Sequence, residues 1–207
     1  MKYIKLIIAA LMGNSFSLAA PTRAEDTIRG LPGNYTMVDI QWEVPISADR
    51  TDTVTGTIED VIRHLEFVAP DILDSQHVPT PGLEPTSVPV PFDGALVKTP
   101  DPSKVSCDPY GAGGTKDNYS DGIRYLKTVP GKPTNGGKSC GRVSCSYGAA
   151  IWWCNGNANN FTLDSYSMIA DGAQTVIDRC PANSVGQVNG QSEYDDGWSV
   201  LLVGNSC

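Results

Sequence analysis

Apolar residues recur along this chain with two periods. Val38, Ile40, Trp42 and Val44 alternate with polar neighbours, the period of a half-buried strand. Ile58, Val61, Ile62, Leu65 and Val68 then fall on one stripe of a helix that Pro70 ends. A strand and one helix are too little for a stable unit, so this segment is expected to pack on the C-terminal part of the chain. Further on, Ile123, Tyr125 and Leu126 predict a short helix capped by Ser120 and closed by Pro130. Arg142 to Trp153 alternates again and reads as one strand. Val143, Cys145, Tyr147, Ala149, Ile151 and Trp153 fall on its core face; Ser144, Ser146, Gly148, Ala150 and Trp152 fall on the other.

After the Asn155-Gly156 break, Thr162 is a suitable helix N-cap with Asp164 in the first turn. Tyr166, Ile169, Ala170, Ala173, Val176, Ile177 and Cys180 mark one helical face, and small Ala170, Gly172 and Ala173 allow close approach to a sheet. Gly186 to Gln191 and Trp198 to Val203 flank Asp195-Asp196-Gly197, a hairpin signature because Asp-Gly accepts positive φ. The predicted fold class is α+β: a small disulfide-bonded α/β sandwich with helices packed on one face of a mainly antiparallel sheet.

The ends and joints of the chain divide it further. Lys2 and Lys5, an apolar run from Ile4 to Met12, and Ser17-Leu18-Ala19 match a secretory signal peptide over residues 1–19, cleaved after Ala19 or Ala20 with Ala24 an alternative. The run is far shorter than the roughly 20 residues of a transmembrane helix, and no later segment comes closer, so no transmembrane segment is expected. Residues 20–78 form the strand-helix segment. Seven prolines between residues 79 and 102 read as a stiff linker over 79–102, and 103–207 as a six-cysteine domain. No paired basic processing site occurs, and removal of 20–102 as a propeptide is left open.

Cys107, Cys140, Cys145, Cys154, Cys180 and Cys207 all lie in that domain, an even number in a chain read as secreted, and predict three disulfides. Zinc would favour C-x-x-C pairs with histidine partners; there is no C-x-x-C, and 103–207 has no histidine. If Cys145 to Cys154 is one strand of about 30 Å and the helix returns about 25 Å, Cys180 lies beside Cys140 or Cys145, with parity favouring Cys145. Cys154 then pairs with Cys107 or Cys207, and a Cys154–Cys180 bridge is disfavoured.

Net charge is −8, of which residues 103–207 carry only −1 (eight Lys or Arg against nine Asp or Glu). With no basic cluster, nucleic acid is not an expected partner. A histidine-free domain has no base for Ser/His/Asp or Cys/His chemistry, and His64 falls on the polar side of its helix. Asp164, Asp171, Asp178, Glu193, Asp195 and Asp196 are the acids available to a glycosidase-like pair, yet each fits a helix cap, a solvated helix position or a turn. Gly111-Ala-Gly-Gly114 lacks the Lys-Ser/Thr of a phosphate loop. No catalytic residue, metal site or cofactor is assigned.

Two features bear on function. Asn34, Asn118 and Asn160 begin Asn-x-Ser/Thr sequons. Trp152, adjacent to core Trp153, is expected to project over small Ser144 and Ser146 as a partner-binding face, unless the N-terminal strand and helix cover it.

The stretch Cys140-Gly-Arg-Val-Ser-Cys-Ser-Tyr-Gly-Ala-Ala-Ile-Trp-Trp-Cys-Asn155, with Ile169-Ala-Asp-Gly-Ala-Gln174, Cys180 and Asp196-Gly-Trp198, resembles small secreted cysteine-rich proteins of filamentous fungi. The element order ending in Asn205-Ser-Cys207 is distantly similar to the fungal killer-toxin α/β sandwich. The resemblance covers about residues 107–207 and transfers no functional residue. It implies a non-enzymatic secreted effector that binds an extracellular or host protein or glycan. The alternatives are a killer-toxin-like protein acting on membranes or channels, and a secreted hydrolase or hydrolase inhibitor.

Overall fold

The computed structural model describes residues 35–74, 98–205 and 207. The stretch expected to be a signal peptide, Asn34 and residues 79–97 of the proline-rich segment lie outside these. The elements in chain order are β1 Thr36–Val38, β2 Ile40–Ser47, β3 Arg50–Gly56, α1 Ile58–Val68, α2 Pro70–Asp74, β4 Lys104–Cys107, β5 Gly114–Thr115, α3 Lys116–Thr128, β6 Thr134–Asn135, β7 Ser139–Ser146, β8 Ala149–Asn155, β9 Phe161–Thr162, α4 Ser167–Arg179, β10 Gln187–Val188, β11 Gly190–Glu193 and β12 Trp198–Gly204. Six strands form the main sheet in the order β1-β7-β8-β12-β11-β4. Every pairing in it is antiparallel except β1 with β7. With three disulfides and a helical layer, this is the predicted disulfide-bonded α+β class.

The principal core lies between the sheet and the helices. Val143, Ile151, Trp153, Trp198, Val200 and Leu202 from the sheet meet Ile123 and Leu126 of α3 and Ile169, Ala173 and Val176 of α4. The small residues of α4 do allow the close approach expected of them: a Cβ on Gly172 would stand 2.7 Å from Val200 Cγ2. The N-terminal segment joins the same core through Ile40, Trp42, Val44, Val61 and Leu65, with Trp42 stacked on Tyr166 at 4.6 Å. The opposite sheet face buries a smaller set: Tyr110, Cys140, Ala150, Trp152, Cys154, Leu201 and Val203.

Several predicted boundaries shift. The alternation from Val38 to Val44 belongs to β1 and a β2–β3 hairpin rather than one strand, and Pro70 opens α2 instead of only closing α1. Thr115, not Ser120, caps α3: its side chain accepts from Asn118 N–H, so the helix starts a turn earlier. Thr162 caps no helix. It pairs with Thr134 in the β6–β9 ladder, and α4 begins at Ser167. The Trp198 hairpin forms around the predicted turn, with Gly197 at φ 80°. Its first strand, however, is β11 Gly190–Glu193 rather than Gly186 to Gln191, and Gln187–Val188 forms β10, which pairs with β5.

The largest correction concerns Arg142–Trp153. It is not one strand but the β7–β8 hairpin, reversed at Tyr147-Gly148, where φ is 48° and 77°. Positive φ at both central residues is the mark of the tight turn whose twist suits a hairpin. The reversal brings Cys154 directly opposite Cys140, and these two are bonded; Cys107 pairs with Cys180 and Cys145 with Cys207. The expected Cys180 bond to Cys145 or Cys140, and the Cys154 bond to Cys107 or Cys207, are therefore replaced. Both expectations rest on a single long strand, and the chain folds back halfway along it. Cys154 and Cys180 are not bonded to each other.

Candidate functional site

The residues predicted to share an aromatic face do not share one. A bulge between Arg142 and Ser144 turns Ser144 toward the helices, where a Cβ on Gly122 of α3 would touch it. Its hydroxyl donates to Glu59 Oε1 of α1, so the N-terminal helix does cover this residue. Ser146 is half-buried at the last pair before the turn. Trp152 faces the other way, across from Arg142 and Leu201, with the Arg142 guanidinium carbon 5.9 Å from its ring centroid. At 1% exposure it is as buried as Trp153 at 0% and Trp198 at 1%, which overturns the expectation that it projects into solvent.

The exposed aromatic of this hairpin is instead Tyr147, 84% exposed at its tip. The residue is unusual in its backbone as well as its exposure. A bulky side chain at positive φ is strained, because Cβ crowds the following carbonyl. Asn, Asp and Gly are the residues that tight hairpin turns ordinarily place here. The turn is fixed from three sides. Asn118 Nδ2 of α3 donates to Tyr147 O at 3.1 Å, Asn205 N donates to Gly148 O at 3.0 Å, and the Cys145–Cys207 disulfide ties the strand two residues below the tip to the end of the chain. Beside it, Gly114 of β5 packs against Ala149, and β5 pairs with β10. The loop leading into β10 carries Val185, 69% exposed. The alternation placed Tyr147 on the core face; the signal against that was Gly148, which has no side chain to pack within a strand.

Four of the six acids singled out from the sequence have side-chain partners. Asp164 pairs with Lys132 at 3.1 Å, Glu193 with Lys104 at 3.1 Å, and Asp178 accepts from Gln174 at 2.9 Å. Asp171 on α4 accepts from Thr99 Oγ1 at 2.7 Å and lies 3.4 Å from Lys127. Asp195 and Asp196 are exposed in the β11–β12 turn. His64 is not simply solvated: its Nε2 stands 2.9 Å from Asp52 Oδ2, joining α1 to β3. The Arg50 guanidinium, gripping both Asp52 oxygens, and then His64 hold the Asp52 carboxyl below its ordinary value.

On the opposite face Tyr110 donates to Gln191 Oε1, and burial, with Glu193 and Tyr35 adding to it, pushes its hydroxyl up to about 12. Among the described residues, no group of three or more His, Cys, Asp or Glu could hold a metal ion. Nor is any helix among them long and apolar enough to cross a membrane.

Of the sequons, Asn34 lies outside the described residues. Asn118 is half-buried in the first turn of α3, and Asn160 is exposed just before β9. Comparison of the chain with models of protein families, with curated proteins and with solved structures finds no match.

Proposed function

We propose that this chain is a secreted, disulfide-stapled binding protein, working without catalysis, and that Tyr147 on the β7–β8 tip contacts its extracellular or host protein or glycan. The observation that supports the reading is Tyr147 itself. An exposed aromatic in a strained backbone conformation contributes little to the core and costs about 1 kcal/mol against a residue suited to the turn. Such strain is characteristic of sites where something other than stability selects the side chain. A rigidly presented aromatic loses little entropy on binding and supplies a large contact area, which is why aromatic side chains dominate binding hot spots. Three disulfides are compatible with an extracellular setting, since oxidising compartments are where they persist.

Tyr147→Asn separates binding from folding. Asparagine accepts the left-handed conformation, so the variant should be as stable as the parent or more stable by about 0.5–1 kcal/mol in denaturant unfolding. Its retention on cell-wall and extracellular-fluid preparations of a candidate host should fall about tenfold or more, the loss expected of an aromatic hot spot. Equal retention by a folded Tyr147→Asn protein would remove Tyr147 from the binding surface.

A further inference from the structure

We infer that Asn160 carries an N-linked glycan and that Asn118 does not, so that the sugar sits at the pole of the molecule opposite Tyr147. The inference rests on the proposed secretion of the chain and adds to it a modification site. The atom that bears such a glycan is the side-chain amide nitrogen. In Asn118 that atom is already committed: Nδ2 donates to Tyr147 O at 3.1 Å, and the residue sits in the first turn of α3 with its own N–H directed at Thr115 Oγ1. Nδ2 would keep one N–H after glycosylation, but the sugar would have to fit beside that hydrogen bond, in a half-buried position against the hairpin tip itself.

Asn160 has none of these constraints. Ala158, Asn159 and Asn160 are exposed, in the connection between β8 and β9. The loop is shaped by its neighbours: buried Asn155 donates to Asn135 O, Gly136 O and Asn159 O, and accepts from Asn157 N. Asn157 in turn donates to Asp196 O. The loop is thus held by Asn155 and Asn157, while the Asn160 side chain is exposed and used in none of these bonds. A bulky, solvated substituent fits there without breaking any of them.

The step is a group transfer from a lipid-pyrophosphate-linked oligosaccharide. Asn160 Nδ2 forms a bond to the anomeric carbon, the bond from that carbon to the pyrophosphate breaks, and one amide proton leaves with the lipid pyrophosphate. The consequence is a molecule with two distinct ends. β8 runs from the Tyr147-Gly148 turn to Asn155, roughly 20 Å at strand rise. A glycan beyond Asn155 leaves the tip bare, whereas one on Asn118 would stand over Tyr147.

The full chain, produced in a eukaryotic secretory host and collected from the medium, tests this by glycopeptide mapping, which reads each sequon separately. The Asn160 peptide should be occupied and the Asn118 peptide bare. Asn160→Gln should remove that glycan and leave the unfolding midpoint unchanged, while Asn118→Gln should remove no glycan. Secreted protein with Asn160 bare, or with Asn118 occupied, overturns the inference while leaving secretion standing. Protein retained in the cytosol overturns both.

Discussion

Glu59 shows how much one side chain can settle. Beyond Gly141, the outer edge of β7 has run past its short partner β1, which pairs only with Ser139 to Gly141. The N–H of Cys145 would be left open at a sheet edge, where unpaired groups invite wrong association. Glu59 closes it: one carboxylate oxygen accepts from Cys145 N at 3.2 Å and the other from Ser144 Oγ. Because Ser144 is nearly fully buried, removing the acceptor strands a hydroxyl as well as an amide. Glu59→Ala should therefore cost about 1–3 kcal/mol in urea unfolding, and Glu59→Gln, which can still accept, should cost less. A change below about 0.5 kcal/mol, the level of an ordinary surface substitution, would show that water replaces the carboxylate.

Tyrosine makes a second residue-scale statement, one about pH. Tyr119 accepts from Gly114 N and donates to Val188 O, clamping β5 and β10 to α3, and burial pushes its hydroxyl up to about 12 against the opposing effect of the Gly114 bond. Tyr110 is raised to about 12 as well, again chiefly by burial. The unfolded chain ionises these groups near the ordinary value of about 10, before the folded one does. Their stabilisation is complete below pH ~10 and is lost as pH rises toward 12. Tyrosinate absorbance should show a late-titrating fraction that appears together with loss of the folded circular dichroism signal. A single transition near pH 10 in protein that stays folded would contradict the burial of both groups.

At the scale of elements, the helices and the β11–β12 hairpin are legible in the sequence, and the β2–β3 and β7–β8 hairpins are not. Periodicity finds α1 and the buried face of α4 because a 3.6-residue stripe survives any error at its ends. The β7–β8 hairpin defeats the same approach for a specific reason. The bulge between Arg142 and Ser144 shifts the in–out phase by one residue, and the two-residue turn at Tyr147-Gly148 shifts it back. Val143, Ile151 and Trp153 therefore all face the helices, as an unbroken alternation would place them. Between bulge and turn the phase is inverted, and there alternation misplaces Ser144, Cys145 and Tyr147. It puts Trp152 correctly on the face away from Trp153, but that face is a second buried layer rather than a surface. Alternation reports which side a residue takes; it carries no information on what covers that side. The exposed tip is hidden by its own residue type, since a tyrosine with positive φ contradicts the usual turn chemistry.

For the whole molecule, the disulfides and the sheet order support each other. Cys140–Cys154 ties two strands already paired along their length, across a separation of 14 residues. Cys107–Cys180 spans 73 residues and joins the end of β4, the last strand of the sheet, to the end of α4. Among the described residues, β4 has β11 as its neighbour on one side and no strand on the other, so this bond fixes an edge that the ladder holds from one side only. In the chain-entropy account the longer loop contributes about 4 kcal/mol and the shorter about 3, and freeing β4 adds to the first. Peptide mapping of the unreduced protein should return the 107–180, 140–154 and 145–207 pairs. The Cys107→Ser/Cys180→Ala variant should then lose at least about 1 kcal/mol more in urea unfolding than Cys140→Ala/Cys154→Ala. Equal losses would mean that β4 is held by its ladder and by the Thr99–Asp171 hydrogen bond at its approach. A larger loss for Cys140–Cys154 would mean that the hairpin bearing Tyr147 depends on its disulfide more than on its pairing. The rigidity of the proposed binding tip would then rest on that bond.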